Sequence, residues 1–155
     1  MVRSGRRFKP ADVAQQVVGG FLLAGPFVVT AEVWQLATNM NNIQLALSIG
    51  MVFAIGYGAL YKAEQRDPDR EVDVAGVPIR FISLMAVSFG SVLILALVFD
   101  APATFLTEFN VAPADQPLIT VKAVSVGAVF SVVGAATADS VFSVNRHTRW
   151  DIECG

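Results

Sequence analysis

Four long apolar stretches, Val13 to Leu36, Ile43 to Tyr61, Ile79 to Phe99 and Leu118 to Phe142, constrain this chain more than any other feature. Each is about as long as the roughly 20-residue helix that crosses about 30 Å of hydrocarbon. Lipid offers no hydrogen-bond partners to a backbone, so segments of this length satisfy their own N–H and C=O groups as helices. The sequence therefore predicts an all-α polytopic membrane protein, a bundle of four transmembrane helices forming a single membrane domain over residues 1–155. With 54% hydrophobic and 15% charged residues, too few charges remain to cover a water-exposed surface. The first stretch is too long for the apolar region of a signal peptide and no small-x-small cleavage pattern follows it, so it is expected to stay as an anchor.

The cations set an orientation. Arg3, Arg6, Arg7 and Lys9 precede the first stretch, Lys62, Arg66, Arg70 and Arg80 lie in or beside the connector 62–78, and Arg146 and Arg149 follow the fourth. Ten of the eleven cations thus fall on one side, and retention of cations in the cytoplasm predicts N-in, C-in topology in a cell membrane. The connector mixes both signs with Pro and Gly and reads as a solvated cytoplasmic loop. The outer loop 100–117 holds three prolines and reads as an ordinary extended loop. No basic stripe interleaved with aromatics is present, so nucleic acid is not an expected partner; the lipid bilayer and further copies of the chain are. Cys154 has no second cysteine to pair with, and His147 is the only histidine.

Two packing rows are legible. SIGMVFAIGYGA at 48–59 and SVGAVFSVVGAA at 125–136 share a pattern on spans of the same direction, which suggests a two-hairpin duplication. Ala46, Gly50, Ala54 and Gly58 form an i, i+4 row on span two, and Ala123, Gly127, Ser131 and Ala135 form one on span four. Small residues in such rows let helix backbones approach where lipid gives no hydrophobic drive for association, within a protomer or between protomers.

Three charges fall inside the spans: Glu32, Lys122 and Asp139. Asp139, near the inner end of span four, is expected to reach the cytoplasmic interface or the basic N-terminal segment. Lys122, near the outer end, can snorkel. Glu32 sits in the outer third of span one, where a carboxylate costs up to roughly 2.5–3.5 kcal/mol and is expected to face a partner or water. One reading pairs it with Lys122 at similar depth. The other places Val18, Phe21, Gly25, Val28, Glu32, Gln35 and Asn39 on one helical face. Around an axis of several copies, Glu32, Gln35 and Asn39 would bind an ion above an apolar pore lining of Val18, Phe21, Gly25 and Val28. Pro26 predicts a bend near Leu22. Trp34 falls on another face and reads as an interface anchor.

The plan of spans and the stretch PFVVTAEVW resemble a family of small prokaryotic integral membrane proteins of unassigned function, a likeness that implies the four-span fold and no activity. The stretch GFLLAGPFVVTAEV is also similar to the pore helix of Orai-type calcium channels, which carry a basic cytoplasmic segment before span one and a Glu-Val at its outer end. That resemblance implies a metal-binding Glu32 and a gate at Val28, Gly25 and Phe21, although Pro26 interrupts the helix and no C-terminal coupling helix is evident. AEV at Ala31 to Val33 and FAIGYGAL resemble features of small multidrug resistance exporters, whose membrane Glu exchanges protons for substrate. The strong charge bias argues against an antiparallel dimer of the kind some of those exporters form.

No zinc-binding H-E-x-x-H and no second membrane aspartate at a catalytic spacing from Glu32 is present, so an enzyme is not expected. The leading expectation is an oligomeric cation-conducting protein, an ion channel with a carboxylate ring from span one. It needs no cofactor beyond a bound calcium or monovalent cation. A proton-coupled exporter of a small molecule or ion and a non-conducting scaffold with a Glu32–Lys122 pair are the alternatives.

Overall fold

A computed structural model describes residues 10–63, 73–74 and 77–153. Arg3, Arg6, Arg7, Lys9, Arg66, Arg70 and Cys154 lie outside the described residues. The helices are α1 (Pro10–Val28), α2 (Ala31–Asn39), α3 (Asn42–Tyr57), α4 (Ile79–Val98), α5 (Ala101–Glu108) and α6 (Gln116–Glu153). A π-helical turn, Gly58–Ala63, extends α3, and two-residue strands β1 (Asp73–Val74) and β2 (Val77–Pro78) pair antiparallel in the connector. Among the described residues four helices are long and apolar enough to cross a membrane: Pro10–Val28, Asn42–Tyr61, Ile79–Val98 and Gln116–Val141. The chain is an all-α, multi-pass membrane protein.

Helix α6 is the hub, packing against α1, α4, α3 and α2. Within its membrane-length stretch 61% of the residues are buried, against 17% for α3, which lies at the edge. Ala123, Gly127, Ser131 and Ala135 are all buried, as their i, i+4 row implies. The matching row on α3 does not pack inside the protomer: Ala46, Gly50 and Ala54 are exposed and nothing approaches Gly50 or Gly58. The small residues that bring backbones together are instead Gly19 of α1 and Gly134 of α6. A methyl group on either would collide with the carbonyl of the other. Gly134→Ala is accordingly expected to force the helices apart and cost about 1–3 kcal/mol. Denaturant titration of the purified protein in detergent checks this, and an unchanged midpoint would contradict the tight crossing.

Span one is not one helix. Pro26 is tolerated two residues before the end of α1, and the break comes at Val29–Thr30, about two turns beyond the bend expected near Leu22. Thr30 turns to an extended conformation (φ −103°, ψ 134°), and both its N–H and its hydroxyl donate to the Phe27 carbonyl, at 3.3 and 3.0 Å. Helix α3 starts with a capping box, in which Asn41 and Gln44 exchange 2.8 Å bonds between side chain and backbone. The outer loop is not extended as expected. It contains α5, with Pro102 in its first turn where the missing N–H has no role. Asp100 and Asn110 take left-handed conformations at the turns flanking α5, which short polar side chains tolerate. Helix α6 runs past its apolar part to Glu153, a C-terminal extension not evident from the sequence.

A buried ionic cluster as the candidate functional site

The expected site lies on α2 and is open. With span one broken at Val29–Thr30, Glu32 is outside the apolar helix and sits in the first turn of α2, exposed. A carboxylate there meets the positive end of the helix dipole, worth about 0.3–1 kcal/mol, so its location needs no buried partner. Gln35 and Asn39 are also exposed, and Asn39 donates to the Gln35 carbonyl at 2.9 Å. The proposed lining divides. Val18 is 56% exposed, Phe21 and Gly25 are half-buried, and Val28 is buried at 3%. All four lie on α1, and the break at Val29–Thr30 separates them from Glu32, Gln35 and Asn39 on α2. Among the described residues no three His, Cys, Asp or Glu side chains gather into a metal site. A metal at Glu32 would need carboxylates from several copies.

The pair with Lys122 does not form either. Lys122 is 7% exposed and its ammonium donates to the Met40 carbonyl at the corner between α2 and α3. Met40 presents a backbone oxygen there because α2 ends at Asn39 and Met40 is extended. The absence of a shared partner predicts that Lys122→Met and Glu32→Gln are additive in stability to within about 0.3–0.5 kcal/mol. A double-mutant cycle by denaturant titration measures it; a coupling well above that range would restore the pair.

Trp34 is not an interface anchor. It is 1% exposed, stacks on Phe105 of α5 at 5.9 Å between ring centroids, and donates from Nε1 to the Val28 carbonyl at 2.9 Å. That oxygen belongs to the last residue of α1, so the indole satisfies a carbonyl exposed by the helix break.

The densest group of buried polar side chains lies at the other end of the bundle, where α1 and α4 begin and the apolar part of α6 finishes. Arg80 of α4 reaches Asp12 of α1 and Asp139 of α6, each at 3.3 Å and through a different guanidinium nitrogen. Asp12 is 5% exposed, Arg80 7% and Asp139 2%. Gln16 of α1, fully buried, donates from Nε2 to Asp139 Oδ1 at 3.4 Å, and the Ser83 hydroxyl of α4 donates to Gln16 Oε1 at 2.9 Å. Asp139 therefore has Arg80 on one oxygen and Gln16 on the other. Asp12, Arg80 and Asp139 make further polar contacts besides these. Of the two expected surroundings of Asp139, burial among three helices corrects the interface, and the basic N-terminal segment lies outside the described residues. The signal that could have found the cluster is topological. An ionisable residue at the start of span one, another at the start of span three and a third late in span four share a level in any up-down-up-down bundle.

One turn further in, the interior closes. The Gly19–Gly134 crossing lies beside the cluster, and Leu84, Val132 and Ala135 are each at 0% exposure. The arrangement is a set of ionisable and amide side chains held by hydrogen bonds and ion pairs in a buried pocket, beside the close Gly19–Gly134 crossing that separates it from the far side. No protein family, curated protein or solved structure matches this chain.

Proposed function

We propose that the protein moves protons, coupled to a small molecule or ion, across a cell membrane, and that the Asp12–Arg80–Asp139 cluster holds the proton. The observation that carries this reading is the burial of three ionisable side chains from three helices in one cluster. Such groups are costly in a membrane and mark ion and proton pathways. With both termini in the cytoplasm, as the cation distribution predicts, the cluster lies at the cytoplasmic end. A proton entering there meets Asp139, and the seal at Gly19–Gly134 keeps it from the outer side. Passage needs α1 to shift against α6. At the Gly19–Gly134 contact backbone meets backbone, so neither residue carries a side chain that interlocks there, and sliding of packed helices is one way bundles alternate access.

Purified protein in liposomes under an imposed pH gradient tests this with a lumenal pH dye. Parent protein is expected to dissipate the gradient faster than protein-free liposomes, and Asp139→Asn to reduce the rate at least tenfold. Asparagine keeps the shape and its oxygen can accept from Arg80, which keeps Asp12, so the fold is expected to be retained, as circular dichroism of the variant checks. Equal rates for parent and empty liposomes would overturn the reading.

A second reading is favoured by the shared exposure of Glu32, Gln35 and Asn39. Copies of the chain arranged around an axis would place these groups in an outer carboxylate ring that binds calcium or a monovalent cation. The apolar collar beneath it would then be Val18 and Leu22 of α1 with Val29 at the break, all exposed, instead of Phe21 and Val28. Loss of cation selectivity in Glu32→Gln supports this ion channel; unchanged conductance and selectivity counts against it.

A further inference from the structure

We propose that Gln16 and Ser83 form a two-state hydrogen-bond switch that lets Asp139 take up a proton without leaving any buried group unpaired. The inference rests on the reading of the cluster as the proton site and names the residues that position the proton.

As the structure stands, a directional chain runs across three helices. The Ser83 hydroxyl donates to Gln16 Oε1 at 2.9 Å, and Gln16 Nε2 donates to Asp139 Oδ1 at 3.4 Å. This direction suits an ionised Asp139, which can only accept. Around it stand Arg80 of α4 on Oδ2 and, across the guanidinium, Asp12 of α1; these are the charged groups facing Asp139 among the described residues. When a proton adds to Oδ1, the Asp139 O–H becomes a donor aimed at the Gln16 amide nitrogen, itself a donor. Two donors facing each other in a site where Gln16 is fully buried would leave one of them unpaired.

The carboxamide resolves the conflict because its oxygen and nitrogen ends are nearly the same size. Rotation by half a turn puts Oε1 against the Asp139 O–H and Nε2 against Ser83. A hydroxyl accepts as readily as it donates, so Ser83 then receives the Gln16 N–H. Both hydrogen bonds are remade in reverse, and Arg80 keeps its bond to Oδ2. The proton comes from water and stays on Oδ1 until the reverse rotation accompanies its release. A glutamine paired with a hydroxyl is what this requires. A leucine at 16 would pair in neither state, and an alanine at 83 would leave one end of the amide bare in both.

The test is pH-difference infrared spectroscopy of the full chain in lipid, with carbon-13 on the glutamine side chains and, separately, on the aspartates. The expected result is a carboxylic acid C=O band that appears on acidification and is lost in Asp139→Asn. A shift of a glutamine side-chain amide band should accompany it over the same pH range and be lost in both Gln16→Met and Asp139→Asn. A structural Gln16 would show no such coupled shift. An Asp139 band that titrates while no Gln16 band moves would overturn the switch and leave the proton site standing. Absence of any titrating Asp139 band would overturn both. Ser83→Ala, which leaves the Asp139 pairs in place, should abolish the Gln16 shift; persistence of that shift would overturn the role given to Ser83.

Discussion

Replacing Arg80 with methionine is expected to destabilise the bundle by about 3–5 kcal/mol, the usual consequence of removing one partner from a buried ionic group. The guanidinium stands between Asp12 and Asp139 at 3.3 Å from each, and all three groups are under a tenth exposed. Its removal leaves two carboxylates without the cation that bridges them. Methionine fills most of the volume, so the loss is electrostatic and not a cavity effect. The triple replacement Arg80→Met with Asp12→Asn and Asp139→Asn should recover much of the loss, since it removes the charges together with the need for compensation. Unfolding in denaturant, followed by tryptophan fluorescence in detergent, gives both numbers. A single mutant as stable as the parent would mean that Arg80 does not hold these helices together.

Trp34→Ala is expected to cost a similar amount, about 3–5 kcal/mol, by a different route. The ring is the largest fully buried side chain among the described residues and links α2 to α5 through Phe105 and to α1 through the Val28 carbonyl. Alanine leaves a cavity and also an unpaired carbonyl at the break. Trp34→Phe separates the two, because it keeps most of the volume and loses only the Nε1 donor; about 1–3 kcal/mol is expected. The same denaturant series measures both, and equal stability of Trp34→Phe and the parent would show that the indole donor adds nothing.

Hydropathy made the spans legible. Ile43–Tyr61 and Ile79–Phe99 match Asn42–Tyr61 and Ile79–Val98 to within a residue at each end, because the apolar stretches are bounded by polar corners. Span one misled because an apolar run carries no mark of where its helix stops. Pro26 sits inside α1, whereas the break follows at Thr30, stabilised by Phe27 and Val28 carbonyl bonds that only the tertiary fold supplies. That shift of register moved Glu32 from a buried address to the open first turn of α2. The small-residue row of α6 is a packing face within the protomer, while the same pattern on α3 packs against nothing in the same chain. Sequence records that a backbone can be approached, not whether anything approaches it.

The ionic cluster was hidden for the opposite reason. Asp12 and Arg80 lie near helix starts and Asp139 near the end of the apolar part of α6, where a single charge is unremarkable, and Gln16 is one polar residue in a long helix. Their meaning comes from the antiparallel arrangement of α1 and α6 with α4 beside them, which brings residues more than a hundred positions apart into one pocket.

The central claim, that the buried cluster and not the exposed α2 carboxylate carries the protein's function, is tested most directly by one comparison. Parent, Asp139→Asn and Glu32→Gln proteins are reconstituted at equal density, and dissipation of an imposed pH gradient is recorded for each. The account predicts that Glu32→Gln retains the parent rate while Asp139→Asn falls at least tenfold. A parent-like rate in Asp139→Asn together with loss in Glu32→Gln would contradict it.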